Sequence, residues 1–301
     1  MILHAAQAGV PVGLSALPED DRVVSARFLR DLFTGRLCNL DGGSGFLIMG
    51  ANVPDVLDLE YRQVDVPLLL KSCQFTELRL KGLSAPVVGL IDSSVLALSL
   101  DGATIKGSVF LDKLKSTGQI RLIGVEIGGQ LGLKGAELTH TGDGAALQLD
   151  GATIRGGVLL DRLKSTGQVR MLGVEVHGQL SLNGAELTHT GDEAALSLDG
   201  ATIKGALFLD KLKSTGQIRL IGVEIDGPLS LRGAELTHTG DEAALSLDGA
   251  RLRGGVFLDQ LKSTGQIRMI GAEIDGPLAF SRAELTHTGD RAALQLDRAT
   301  I

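Results

Sequence analysis

Four copies of the segment Thr-His-Thr-Gly-Asp carry the side chains of this chain that are best suited to binding a metal. Their histidines recur at 49-residue intervals, at His140, His189, His238 and His287. In a stack of β-strands, copies two coils apart would lie about 10 Å from each other, whereas a zinc ion binds its ligands at about 2 Å. We therefore interpret the four copies as solvated loops and predict no metal site.

The segment Leu-Lys-Ser-Thr-Gly has the letters of a phosphate-binding loop, and it places lysines at Lys115, Lys164, Lys213 and Lys262. The spaced glycine that should precede it and the helix that should follow are both missing, and these parts form the backbone cradle for a phosphate. We interpret the segment as a turn with an exposed row of lysines. A weak anion-binding stripe is the alternative, and we predict no cofactor.

Paired carboxylates such as Glu224 and Asp226 are two residues apart, which is the spacing of the exposed face of one strand. Catalysis requires unlike groups with perturbed environments that are held together in a pocket. Near-identical repeats produce rows of equivalent exposed groups instead. The sequence therefore predicts no catalytic residues, and we expect the protein not to be an enzyme.

All of these segments belong to one 49-residue unit, which is seen most clearly at residues 196–244. The unit returns from Leu98, Leu147 and Leu245, and it begins again at Leu294. A fixed period of this kind indicates a repeat architecture in which coils stack on one another.

Each unit divides into short steps with apolar residues two apart, followed by a turn at or near glycine. The central steps are LSLDG, ATIKG, ALFLDK and LKSTGQ, then IRLIG, VEIDG, PLSLRG and AELTHTGDEAA. This pattern predicts a parallel β-helix with alternating 22- and 27-residue coils, each having three short strands and a variable fourth side. Ten coils fit between Phe46 and Ala293, which gives a rod about 48 Å long.

Stacked charges and an irregular stretch refine this prediction. The register places Lys204 above Asp226 and Asp210 before Arg232, so neighbours of opposite sign are stacked.

Upstream of Leu98, the segment 46–67 is predicted to form a 22-residue coil and the segment 68–97 a longer, 30-residue coil. Residues 83–97 are predicted to be a longer apolar fourth side and a candidate partner surface. Its proposed contact residues are Leu83, Val87, Val88, Leu90 and Ile91. The repeated histidines and lysines are further candidates for contact with a partner: His140, His189, His238, His287, Lys115, Lys164, Lys213 and Lys262.

Residues 1–45 do not repeat and are predicted to be an N-terminal cap, with the β-helix over residues 46–301. Within the cap, Val24, Phe28 and Leu32 lie four residues apart on one face. We predict an amphipathic helix over residues 18–34, with acidic residues in its first turn and Gly35 after its end.

The steps ATIKG, VEIDG and AELTH match the pattern A-x-L-x-x of pentapeptide-repeat proteins. The chain resembles this family over about residues 46–301. It is most similar to the actinobacterial branch, which joins a helical segment like VVSARFLRDLFTG to coils like IRLIGVEIDGPLSLRGAEL. The resemblance implies a right-handed quadrilateral β-helix. Relatives are often labelled oxidoreductases, sometimes membrane-associated, but no residue of this chain supports that label. Some family members bind DNA gyrase as acidic DNA mimics.

Composition and charge argue against several other classes of protein. The net charge is −7 with interspersed signs, and no basic face is visible, so direct nucleic-acid binding is not expected. Cys38 and Cys73 form no disulfide framework, which predicts a reducing cytoplasm. No apolar run is long enough to cross a membrane as a helix, and the segment from Met1 to Leu17 lacks the basic start of a signal peptide.

The sequence thus favours a non-catalytic binding or scaffold rod that presents ladders of side chains to a protein partner. One alternative is an acidic mimic that inhibits gyrase-like enzymes, although the central unit has seven acidic residues against five basic ones. The other is end-to-end self-assembly. That hypothesis starts from Ile301, which is eight residues into a new coil and would leave strand edges unpaired.

Overall fold

The computed structural model describes residues 1–38, 46–140, 142–189, 191, 193–238, 240, 242–287, 290 and 292–301. Short parallel strands from successive coils pair with one another along four sides, which we number in chain order within each repeat unit. The predicted fold class, a four-sided parallel β-helix, is confirmed by this pairing.

Sides one and four share a single sheet, because two longer strands, Gln74–Arg79 and Ser94–Ser99, run through the corner between them. The other strands of side one are Leu57–Asp58, Ile120–Arg121, Leu147–Gln148, Val169–Arg170, Leu196–Ser197, Ile218–Arg219, Leu245–Ser246, Ile267–Arg268 and Leu294–Gln295. Those of side four are Asn52–Val53, Lys115–Ser116, Glu137–Leu138, Lys164–Ser165, Glu186–Leu187, Lys213–Ser214, Glu235–Leu236, Lys262–Ser263 and Glu284–Leu285.

Sides two and three are separate sheets. The strands of side two are Ser84–Ala85, Thr104–Ile105, Glu126–Ile127, Thr153–Ile154, Glu175–Val176, Thr202–Ile203, Glu224–Ile225, Arg251–Leu252 and Glu273–Ile274. Those of side three are Val12–Gly13, Leu47–Met49, Leu68–Lys71, Val88–Ile91, Val109–Phe110, Leu131–Gly132, Val158–Leu159, Leu180–Ser181, Leu207–Phe208, Leu229–Ser230, Val256–Phe257 and Leu278–Ala279. The fourth side was predicted to be variable, but its two-residue strands are as regular as those of the other three.

Coil lengths alternate as predicted from Leu98 onward. On side one Leu98 pairs with Ile120 and Ile120 pairs with Leu147, so the residue number increases by 22 and then by 27. Upstream the prediction is wrong. Leu57 pairs with Leu78, which pairs with Leu98, so these two coils are 21 and 20 residues long. The predicted lengths were 22 and 30 residues.

The error comes from the phase of the first coil. Leu47–Met49 pairs with residues 69–71 on side three, whereas the sequence division at Phe46 placed it on side one. Residues 83–97 are consequently not a longer fourth side. They supply Ser84–Ala85 on side two, Val88–Ile91 on side three and most of Ser94–Ser99 on sides four and one.

The interior is one continuous apolar core that runs along the rod. Side two illustrates its construction, since Ala201 and Ile203 point inward in one coil and Val223 and Ile225 in the next, all with no exposed surface. Strand side chains alternate between faces with period two, so a slip of one residue would expose this whole set to water. Burial of each large aliphatic side chain contributes roughly 1.5–3 kcal/mol, and the register is fixed as a result.

The N-terminal segment packs against the first coil with two short α-helices, α1 at Ile2–Gln7 and α2 at Ala26–Phe33. A 3₁₀ turn at Glu19–Arg22 precedes α2. The helix predicted over residues 18–34 is thus divided, because the Val24 N–H donates to the Asn52 carbonyl at 2.8 Å and holds the chain extended between the two pieces. Residues 39–45 of the predicted cap lie outside the described set.

Helix α2 begins at an N-cap, Ser25, whose hydroxyl accepts the Phe28 N–H at 3.2 Å. At its other end the Phe33 ring stacks on Phe46, with 5.7 Å between centroids. The ring contact attaches α2 to the start of the β-helix. Neither α-helix, nor any other helix in the described ranges, has the length and apolar character needed to cross a membrane.

Candidate functional surfaces

The four predicted lysines lie on side four, but they do not form a row of like charge. Parallel pairing places Lys115 beside Glu137, which is beside Lys164, and the alternation continues to Glu284. The Lys115 ammonium is 3.6 Å from the Glu137 carboxylate. We name this surface the Lys–Glu ladder; its members are Lys115, Glu137, Lys164, Glu186, Lys213, Glu235, Lys262 and Glu284. Its mixed charge leaves no basis for an anion-binding stripe.

The Leu-Lys-Ser-Thr-Gly segment is a structural turn. The Ser116 hydroxyl donates to the Gly118 carbonyl at 3.1 Å, and the serines of later copies do the same at 2.8 Å. A Cβ atom at Gly118 would clash with the Leu96 carbonyl oxygen, so a larger residue would force the two coils apart. Serine and glycine at these positions therefore serve packing between coils and are not arranged to hold a phosphate.

The His140 ring folds over its own loop. Its Nε2 atom lies 3.2 Å from the Asp143 carbonyl oxygen, and a Cβ atom at Gly142 would be 2.9 Å from the ring. In the later copies, residues 190, 192, 239, 241, 288, 289 and 291 of the equivalent loops lie outside the described set. Nowhere in the described parts of the chain do three or more His, Cys, Asp or Glu side chains come close enough to share a metal ion.

The predicted apolar partner surface is mostly interior. Leu83, Val88 and Leu90 are buried in the core, and Val87 and Ile91 are half-buried. Two large side chains that the sequence argument did not single out are much more exposed on these early coils. They are Tyr61, which is 68% exposed, and Leu96, which is 52% exposed.

The cysteines pack as ordinary side chains. Cys73 is buried, its thiol lies 3.2 Å from the Lys71 carbonyl oxygen, and burial raises the pKa of the thiol above its usual value. Cys38 is half-buried, and both cysteines are free. A thiol with a raised pKa is mostly protonated at neutral pH, so Cys73 is a poor nucleophile.

Side one carries an arginine–aspartate pair that is repeated in every unit. Arg219 donates to the Asp199 carboxylate of the preceding coil, and the same carboxylate accepts the Ile221 backbone N–H at 3.0 Å. The equivalent pairs are Arg121–Asp101, Arg170–Asp150 and Arg268–Asp248. The aspartate of each LSLDG or LQLDG step thus ties one coil to the next.

Asp150 shows the electrostatics of this pair. Burial by itself would raise the pKa of its carboxyl, but donors from Arg170, Gln148 and the Leu172 backbone N–H outweigh burial and hold the pKa below its ordinary value. The four arginines recur at 49-residue intervals in the sequence, but neither they nor their partners were identified from the sequence. The sequence did contain a signal for these pairs. Each arginine follows the aspartate of an LSLDG or LQLDG step by 20 residues, which is close to the length of the 22-residue coil, so the two side chains lie in adjacent coils.

Side two differs from side one because its outward charges change along the rod. Its second outward position in each coil aligns through backbone hydrogen bonds, such as Gly128 N–H to Ile105 and Arg155 N–H to Ile127. We name this line the side-two outer row; its members are Lys106, Gly128, Arg155, His177, Lys204, Asp226, Arg253 and Asp275.

Within the side-two outer row, Asp226 lies between two cations. Its carboxylate is 3.7 Å from the Lys204 ammonium and 2.9 Å from the Arg253 guanidinium. The predicted stacking of Lys204 on Asp226 is confirmed. Two coils further toward the N-terminus the arrangement changes, because His177 pairs with Glu175 of its own strand at 3.0 Å.

The first unit has no side chain at the corresponding point, since the residue there is Gly128. A concavity of about 520 Å³ opens at this glycine, with Lys106 and Arg155 on either side and Glu126 along the same strand. A Cβ atom at Gly128 would clash with the Lys106 carbonyl oxygen. The local backbone conformation at Gly128 therefore differs from that at the equivalent residue, Asp226, and leaves no room for a side chain.

No protein-family model matches this chain, and the search of curated proteins finds no match either. Among solved structures the chain is similar to HetL, described as a pentapeptide repeat protein involved in heterocyst differentiation regulation from the cyanobacterium Nostoc sp. strain PCC 7120. The two sequences are 16% identical, and the match covers 83% of this chain and 88% of HetL with a TM-score of 0.23. The assignment of the fold rests on the strand pairing of this chain itself.

Proposed function

We propose that this protein is a non-catalytic binding rod that recognises a protein partner through side two. The observation that supports this most is the contrast between its sides. The charged groups of side one are used in repeated bonds between coils, whereas the side-two outer row is exposed and differs from coil to coil. A surface whose charges differ from coil to coil can bind a partner at one place along the rod.

The arrangement of the carboxylates supports a non-catalytic role. Glu224 is 3.0 Å from the Arg251 guanidinium, and Asp226 is held between Lys204 and Arg253. These acids form surface ion pairs, whereas a general acid or base needs a sheltered position beside a substrate.

Charge alternation makes the DNA-mimic alternative less favourable. The Lys–Glu ladder places a cation next to every acid on side four, and lysine and arginine interrupt the acids of side two. A mimic of the DNA backbone requires a continuous acidic surface.

A comparison of two sides of one coil tests the proposal. A photo-reactive amino acid is placed at Thr104 on side two or, as the matched control, at Lys115 on side four. We expect crosslinking of one discrete protein in extract of the source organism from Thr104 and none from Lys115. Equal crosslinking from both positions, or turnover of a nicotinamide or flavin substrate by the purified protein, would overturn the proposal.

A further inference from the structure

An internal comparison shows what the concavity at Gly128 can bind. Lys106 and Gly128 of the first unit, together with Arg155 of the second, have equivalents two units later. These are Lys204, Asp226 and Arg253. The spacing along the chain is the same within the two sets. They differ in the middle residue, which is a glycine in one and an aspartate in the other.

In the later set, the chain itself supplies the anion. The Asp226 carboxylate contacts cations of the coil before it and the coil after it, at 3.7 Å and 2.9 Å. A lysine and an arginine two coils apart on this side can therefore bind one carboxylate between them. The coils are paired in the same way at both places, because the Gly128 N–H donates to the Ile105 carbonyl at 2.8 Å and the Asp226 N–H donates to the Ile203 carbonyl at 3.0 Å.

At Gly128 the two equivalent cations, Lys106 and Arg155, lack that anion. Within the described residues, neither Lys106 nor Arg155 forms an ion pair, and both side chains are exposed. The space between them is the concavity of about 520 Å³. Lys106 and Arg155 carry two positive charges and Glu126 one negative charge, so the site has a net charge of +1. This charge suits a carboxylate better than a phosphate dianion.

We propose that the concavity at Gly128 binds the carboxylate of an aspartate or glutamate side chain from a protein partner. The carboxylate lies between Lys106 and Arg155, as the Asp226 carboxylate lies between Lys204 and Arg253. This inference rests on the proposed function and assigns a position on side two to it. Exposed ion pairs contribute up to about 1 kcal/mol each, so further contacts of the partner must supply most of the affinity.

The test is an NMR titration of the full chain with a short glycine–serine peptide that contains a single glutamate. We expect weak shifts of the Gly128 and Arg155 amide signals that grow with peptide concentration, because the peptide supplies the carboxylate alone. The variant Lys106→Gln/Arg155→Gln should bind the peptide about tenfold more weakly, which corresponds to the loss of two exposed ion pairs. The matched control, Lys204→Gln/Arg253→Gln, should bind it as the wild type does.

Three results would overturn the inference. They are equal shifts with a peptide that has glutamine in place of glutamate, equal losses in both double variants, and tighter binding of acetate than of the peptide. The last result would assign the site to small free anions. Unchanged melting temperatures of both double variants exclude unfolding as the cause of a loss. If crosslinking from Thr104 succeeds while the glutamate peptide fails to bind, the proposed function stands and this inference alone is wrong.

Discussion

Side one and side two are built from the same two-residue strands, yet their outward positions are used differently. On side one every unit repeats an arginine that reaches back to an aspartate, as Arg219 does to Asp199. On side two the outer row changes from Gly128 to Asp226 over two units. The comparison teaches that a repeat protein can keep one side constant for stability while another side varies and acquires a local site.

The largest expected effect concerns the interior, which both sides share. Ile225 is fully buried beneath side two, and a lysine there would place a charge in the core without a partner. We expect Ile225→Lys to lower the free energy of unfolding by about 4 kcal/mol or more. Because neighbouring coils stabilise each other, local disruption should also broaden the thermal transition, which calorimetry measures.

The control for this variant is a lysine on the outside of the preceding coil. Thr202 lies between Glu175 and Glu224 in the parallel register. Thr202→Lys should therefore change the free energy of unfolding by less than about 0.5 kcal/mol. If Ile225→Lys and Thr202→Lys melted at the same temperature, the assignment of inward and outward positions would be wrong.

An intermediate effect separates the two sides directly. Asp199→Ala removes both the Arg219 contact and the acceptor for the Ile221 N–H, and we expect a loss of roughly 1–2 kcal/mol. Asp226→Ala breaks two surface ion pairs and leaves no backbone N–H of the described residues without its acceptor, so its cost should be smaller than that of Asp199→Ala. Urea unfolding measures both. A larger loss for Asp226→Ala than for Asp199→Ala would contradict the division of roles between the sides.

A smaller effect is the pH dependence of side one. The pKa of the Asp150 carboxyl is lowered in the folded chain, so its contribution to stability is present above the unfolded pKa of about 4 and is lost as pH falls through the folded value. The melting temperature of the wild type should exceed that of Asp150→Asn at pH 7, and the difference should shrink by pH 3. If the difference in melting temperature grew as the pH fell, the pKa of Asp150 would be raised in the folded chain and this prediction would be wrong.

The coil pattern could be predicted from sequence because the inward positions repeat with period two. Alternation of apolar residues such as Ala201 and Ile203 determines which side chains point inward, and the 49-residue unit determines how shorter and longer coils alternate. Upstream of Leu98 no repeat sets the phase, and the step at Phe46 was assigned to side one although its strand lies on side three.

The surface was less predictable, because it depends on contacts between coils. Each lysine of side four has a glutamate of the next coil beside it, as Lys115 has Glu137. Considered one at a time, the lysines suggested a row of positive charge. The site at Gly128 was missed for a related reason, since a glycine becomes informative only when it is compared with Asp226 in the equivalent place.

The most direct test of the central claim, that an unfilled position in the outer row creates a carboxylate site, is to open a second one. Asp226→Gly leaves Lys204 and Arg253 without the anion they share. Titration of this variant with the glutamate peptide should shift the Arg253 amide signal as well as that of Arg155, whereas in the wild type Arg155 shifts and Arg253 does not. If the Arg253 signal of the variant stayed unmoved while Arg155 still responded, the claim would be contradicted.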